Sequence, residues 1–111
     1  MRVYVPATLT VLAELAERGE LPPANDRFVA AEDSEEAEYD ALTAAAAASA
    51  SMLGATGRRV VIVADIPDPD GPVPVNLVAA VHADPEPVDA AQEDLPDLGW
   101  YAVQEIPDLL G

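Results

Sequence analysis

The sequence predicts a single α/β domain spanning residues 1–111, a mixed sheet of four or five strands with two main helices, and three observations lead there. Val60, Val61, Ile62 and Val63 are consecutive β-branched residues, so a strand built from them has no polar face and must be covered on both sides. An alanine-rich helical pattern over residues 34–53 runs into that strand through Gly54 and Gly57, the order of an α/β unit. The length, 111 residues of which 50% are apolar, fits one modest core. The alternative is a two-layer ferredoxin-like α+β fold. The two architectures differ in whether helices cover Val60 to Val63 on both faces or leave one face to a partner subunit.

Taken in order, Met1 to Val5 alternates and is β-prone, and Pro6 is expected to end that strand. Thr8 is placed to cap a helix through Arg18, with Leu9, Leu12, Ala13 and Ala16 at helical spacing and Gly19 just beyond its end. Leu21-Pro22-Pro23-Ala24-Asn25 is a stiff connection poor in donors, and residues 27–31 form a weaker strand candidate. The second helix is better signalled. Asp33 with Glu36 resembles a capping box, Ser34 is the alternative cap, and Glu35, Glu36 and Glu38 lie at the positive end of the helix dipole. Tyr39, Leu42, Ala46, Ser49 and Leu53 recur at three and four residues, while Ala44 to Ala48 permits close approach to a sheet.

The central strand is expected over residues 59–66. Four prolines between Pro67 and Pro74 then make an exposed loop. Residues 78–83 resume a strand pattern, 88–93 have room for two helical turns before Pro96, and Trp100 to Ile106 form a last strand that Pro107 ends.

Composition narrows the function classes. A net charge of −16 repels phosphate backbones and disfavours nucleic acid as a partner. All five basic residues are arginines and cysteine is absent, which removes disulfides, thiol nucleophiles and cysteine-ligated zinc. No stretch has the apolar length of a membrane span, and the N-terminus lacks a signal-peptide core. These features point to a cytoplasmic protein with an acidic surface, acting on a protein partner or as a homo-oligomer.

Met1-Arg2-Val3-Tyr4-Val5-Pro6-Ala7-Thr8-Leu9, Glu38-Tyr39-Asp40-Ala41-Leu42, the Arg59 to Asp65 strand, Val81-His82 and the closing Trp100-Tyr101-Ala102-Val103-Gln104-Glu105-Ile106 together resemble a family of small actinobacterial proteins with no assigned activity. The resemblance covers most of the chain in patches. It implies no catalytic residues. The segment between Ile66 and Val78 is shorter here than in the members it resembles.

Five constellations are candidates for chemistry. Asp65, Asp68 and Asp70 leave the central strand as Asp-x-x-Asp-x-Asp-Gly, with oxygen donors of the kind that Mg²⁺ or Ca²⁺ takes, although a polar turn explains the same residues. His82 is the only histidine; two residues on, Asp84 is positioned to hold it as a general base, yet no nucleophile motif accompanies them. Tyr4, Tyr39, His82, Trp100, Tyr101 and Glu105 offer aromatic faces and polar tips for a pocket or interface, or for half-buried core. Arg2 is expected to pair with Glu105 or Glu38, and Arg58-Arg59 to be a solvated or ion-paired strand end. The run Glu32 to Glu38 is either a docking surface for a basic partner or a solvated helix end. Two functions follow: a non-enzymatic interaction or scaffold protein, self-associating through the aromatic last strand, or a small metal-dependent enzyme or ligand binder using Asp65, Asp68 and His82.

Overall fold

Val60 to Val63 are all buried, and helices cover them on both faces, which decides against the two-layer alternative. The computed structural model describes residues 1–24 and 26–111; Asn25, the last residue of the proline-rich connection, lies outside them. The main sheet holds β1 (Arg2–Ala7), β4 (Val60–Asp65), β6 (Val78–Ala83) and β8 (Gly99–Tyr101) in the spatial order β1-β4-β6-β8. All three pairings within it are antiparallel. Two small two-stranded sheets join β2 (Glu20–Leu21) to β5 (Val73–Pro74) and β3 (Thr56–Gly57) to β7 (Val88–Asp89).

Because side chains alternate across a strand, the sheet sorts its residues between two cores. Val3, Val5, Ala7, Val60, Ile62, Ala64, Val81 and Ala83 point toward α1 (Leu9–Arg18) and α3 (Ile106–Leu110), where Leu12, Leu15, Ile106 and Leu109 meet them. Tyr4, Val61 and Val63 point the other way, onto Ala41, Ala45 and Ala46 of α2 (Glu35–Leu53). Ala79 falls between the paired residues where the β4–β6 register shifts. That extra residue lets Val78 join the first core while Ala80 and His82 stay on the α2 side.

The local signals explain the boundaries. The Thr8 hydroxyl accepts from Val11 N–H at 3.2 Å, and Gly19 closes α1 at φ 76 with its N–H on Leu15 O. Leu15 rather than Ala16 completes the buried stripe. Pro6 does not end β1. Tyr4 turns its N–H and C=O outward to Phe28, so Pro6, two residues on, has its nitrogen on the same free edge and its missing N–H costs no ladder bond. That Tyr4–Phe28 bridge is all that forms of the strand expected over 27–31.

Ser34, not Asp33, caps α2, its hydroxyl accepting from Ala37 N–H at 3.1 Å. The buried stripe of this helix is Ala37, Ala41, Ala45, Ala46 and Ser49, with Tyr39 left outside. The small residues win the sheet contact because the helix is held close: the Ser49 hydroxyl donates to Ala7 O at 2.7 Å and accepts from Val60 N–H at 2.9 Å. Residues 88–89 pair as β7 instead of starting helical turns. The last strand stops at Tyr101, a 3-10 turn over Val103–Glu105 follows, and Pro107 lies in the first turn of α3, where its lacking N–H is harmless, instead of closing a strand.

Candidate functional site

Helix α2 lies over β1 and β4, and the same face of β6 and β8 carries no helix. The chain fills part of that gap with residues 93–98, whose Leu98 packs against the α2 core. What remains is a cleft of about 510 Å³ between α2, β6, β8 and this strap. Its size falls in the range of ligand and peptide pockets.

The floor is set by a buried ion pair. Arg59 immediately precedes β4 and Asp84 immediately follows β6, and the Val60↔Ala83 register brings them side by side. Asp84 is fully buried, and Arg59 grips it with Nε at 2.9 Å and a terminal nitrogen at 2.6 Å, while Arg59 N–H also donates to it at 2.8 Å. The same terminal nitrogen donates to Pro96 O at 2.6 Å, tying the strap to the sheet. Four hydrogen bonds donated by the Arg59 guanidinium and backbone N–H, three to Asp84 and one to Pro96 O, compensate the burial of both charges.

Tyr39, His82 and Trp100 all line this cleft. His82 and Trp100 are direct cross-strand neighbours, so both project to the α2 side. Tyr39 and Trp100 are 61% and 62% exposed, unusual for aromatic side chains beside an apolar cleft. Burial pushes the His82 imidazole below its ordinary value, since desolvation disfavours the charged ring. Glu93 and Asp97 stand in the strap, and Leu42 and Leu95 supply apolar wall.

The other sequence candidates lie elsewhere. Tyr4 is buried under α2, its hydroxyl held toward the neutral form by desolvation and then by Glu38. Tyr101 packs on the α1 side of the sheet. Glu105 accepts from Ala102 N–H at 3.1 Å and serves the turn before α3. Asp84 is committed to Arg59 and does not hold His82 as a base. Thr43, the cleft's aliphatic hydroxyl, donates to Tyr39 O at 2.9 Å. Among the described residues no nucleophile and base are paired there.

The three aspartates at and beyond the end of β4 are not drawn together. Asp65 forms a two-point pair with Arg2, both contacts at 3.0 Å, in place of the Glu105 or Glu38 pairing expected for that arginine. Asp68 accepts from Asp70 N–H at 3.0 Å in a tight turn. Arg27 donates to Pro69 O, Gly71 O and Pro22 O, so the loop's own carbonyls already face a cation of the chain. Among the described residues no three His, Asp or Glu side chains are grouped to hold a metal.

Residues 1–110 match the profile of a family of unknown function, DUF6912. The chain belongs to that family. No curated protein and no solved structure matches it. Membership of DUF6912 brings no activity to assign to the cleft, so its chemistry has to be argued from its own side chains. Among the described residues no helix is long and apolar enough to cross a membrane.

The sequence allows Arg59 to be an ion-paired strand end, but sequence reasoning missed its partner, Asp84, and the burial of the pair. A signal for it existed: a charged residue directly before one apolar strand and an opposite charge directly after the next are neighbours if the two strands pair antiparallel.

Proposed function

We propose that this member of DUF6912 is a cytoplasmic, non-enzymatic binding module whose working surface is the cleft between α2, β6 and β8. The observation that carries the reading is the placement of two exposed aromatics, Tyr39 and Trp100, at the mouth of one cleft. Aromatic side chains of this kind dominate binding energy at protein interfaces. A catalytic reading lacks its parts, because Asp84 and Thr43 are already hydrogen-bonded elsewhere and His82 has lost its expected carboxylate. The floor supports a binding role, since the Arg59 network fixes the strap against the sheet before any partner arrives and lowers the ordering cost of association.

Trp100 is the only tryptophan, so its emission reports occupancy of the cleft directly. Peptides selected by display on the intact protein, with counter-selection on the Tyr39→Ala/Trp100→Ala variant, are expected to shift that emission. Each single variant is expected to weaken binding by about 10-fold to 30-fold in calorimetry, as loss of an aromatic anchor does. Recovery of no peptide after the counter-selection, or of peptides whose binding leaves the Trp100 emission unchanged, would overturn the reading.

A further inference from the structure

We infer that the occupant of this cleft is a basic segment of another protein, an arginine set beside an apolar residue, with the guanidinium received by Tyr39, Trp100 and the carboxylates of Glu93 and Asp97. The inference rests on the binding reading above and adds the chemistry of the partner.

Charge decides first. Of the ionisable groups lining the cleft, Arg59 is neutralised by Asp84 and His82 is held toward its neutral form by burial. Glu93 and Asp97 remain, both exposed on the strap. Among the described residues no cation is spare to answer them nearby. Arg2 is paired with Asp65, Arg27 is bound to three carbonyls, and Arg58 donates to Asp84 O and Leu109 O. Arg18 sits in the last turn of α1, on the other side of the sheet. The cleft therefore presents uncompensated negative charge within a chain of net charge −16.

The lining chemistry selects among cations. An exposed indole and phenol attract a cation through their π faces, and the planar guanidinium of arginine stacks on them better than an ammonium does. Leu42, Leu95 and Leu98 give an adjacent apolar wall, which a single charged group leaves unused. A second groove of about 400 Å³ on the other side of α2 also carries carboxylates, Glu32, Glu36 and Asp40, beside apolar residues that include Phe28 and Val29. One small cation does not span both sides of a helix, whereas a segment of chain does.

Other occupants fit less well. A second copy would bring another −16 against the same surface, and anionic lipid or nucleic acid would meet the same repulsion. Steering of a basic partner toward this field raises the association rate and makes it fall with salt.

The test uses the intact protein and three synthetic peptides free of tryptophan: two leucines flanked by arginines, the same peptide with neutral citrulline for arginine, and the same with glutamate. Trp100 emission and calorimetry are followed from about 50 to about 500 mM salt, over which the Debye length shrinks severalfold. The arginine peptide is expected to bind at least tenfold tighter than the citrulline peptide, to lose at least tenfold affinity over that salt range, and to weaken about tenfold against Glu93→Gln/Asp97→Asn. The glutamate peptide is expected not to bind. Both substituted carboxylates are exposed, so circular dichroism should show an unchanged fold.

Citrulline and arginine peptides binding equally, and both lost in Trp100→Ala, would leave the binding cleft standing and overturn the basic partner. Failure of all three peptides overturns the basic partner, and the display selection then judges the cleft on its own. N-acetyl-arginine amide binding as tightly as the arginine peptide would overturn the segment and leave a site for a lone guanidinium.

Discussion

The two faces of the main sheet are built from the same four strands and finished in opposite ways. On one face, α1 and α3 press Leu12, Leu15, Ile106 and Leu109 onto valines and isoleucine, and large side chains fill the space. On the other, α2 offers mostly alanine, comes close over β1 and β4, and leaves β6 and β8 to a strap and a cleft. Bulk on the first face makes stability a matter of apolar volume. Smallness on the second hands stability to polar joints: Ser49 between Ala7 and Val60, and Arg59 with Asp84 and Pro96. The difference teaches that an alanine helix leaves room beside itself, and that a fold can use the room as a binding surface only if hydrogen bonds fix what bulk does not.

The largest test of that contrast is Arg59→Met. It removes the cation and leaves Asp84 fully buried without its partner, so a loss of about 3–5 kcal/mol in urea denaturation is expected. Adding Asp84→Leu should restore part of it, because an apolar pair no longer buries a lone charge, while the residue-59 N–H and Pro96 O lose their partners in the double variant. A small loss for the single variant would mean that water reaches Asp84 and that the floor of the cleft is not dry. Ser49→Ala should come next, costing about 1–3 kcal/mol by stranding the buried Ala7 carbonyl and Val60 N–H. The same change at exposed Ser51 should stay within about 0.5 kcal/mol. If Ser49→Ala costs no more than Ser51→Ala, α2 is held by alanine packing alone and the contrast between the faces weakens.

The sequence made the closed face more legible than the open one. The β-branched run demanded covering on both sides and received it, and Thr8, Gly19 and Ser34 marked helix ends by chemistry that depends on nearest neighbours in sequence. Of the stripe the sequence predicts on α2, Ala46 and Ser49 are buried and Leu42 packs against them, whereas Tyr39 lies outside; Tyr39 outranks alanine on apolar scales, but the close approach enforced by Ser49 selects for small size. At the C-terminal end, Pro107 looked like a strand stop and works as a helix start, since a missing N–H suits either role. For the site, Tyr39, His82 and Trp100 were visible as side chains with something to offer. Their convergence was not, because it depends on the β6–β8 register and on which face the Ala79 irregularity leaves His82.

The smallest expected effect is a titration, and it reads the open face selectively because the chain's only histidine lies there. Burial lowers the His82 imidazole below its ordinary value of 6.5. Between the lowered value and 6.5 the unfolded chain therefore binds more protons than the folded one, and stability rises with pH across that window. Its contribution is fully present above about 6.5 and is lost as pH falls through the folded value. The other ionisable side chains lining the cleft are Tyr39, Arg59, Glu93 and Asp97; Arg59 is already paired with Asp84, and it is burial of the ring that sets the direction. His82→Gln should flatten the wild-type decline in urea midpoint on acidification from about pH 7 toward pH 5. Removing the strap's grip with Arg59→Met should flatten it in part, by letting water reach the ring. An unchanged slope in His82→Gln would mean that the imidazole is as wet in the folded chain as in the unfolded one, and then the strap of residues 93–98 would not close the wall on which the cleft depends.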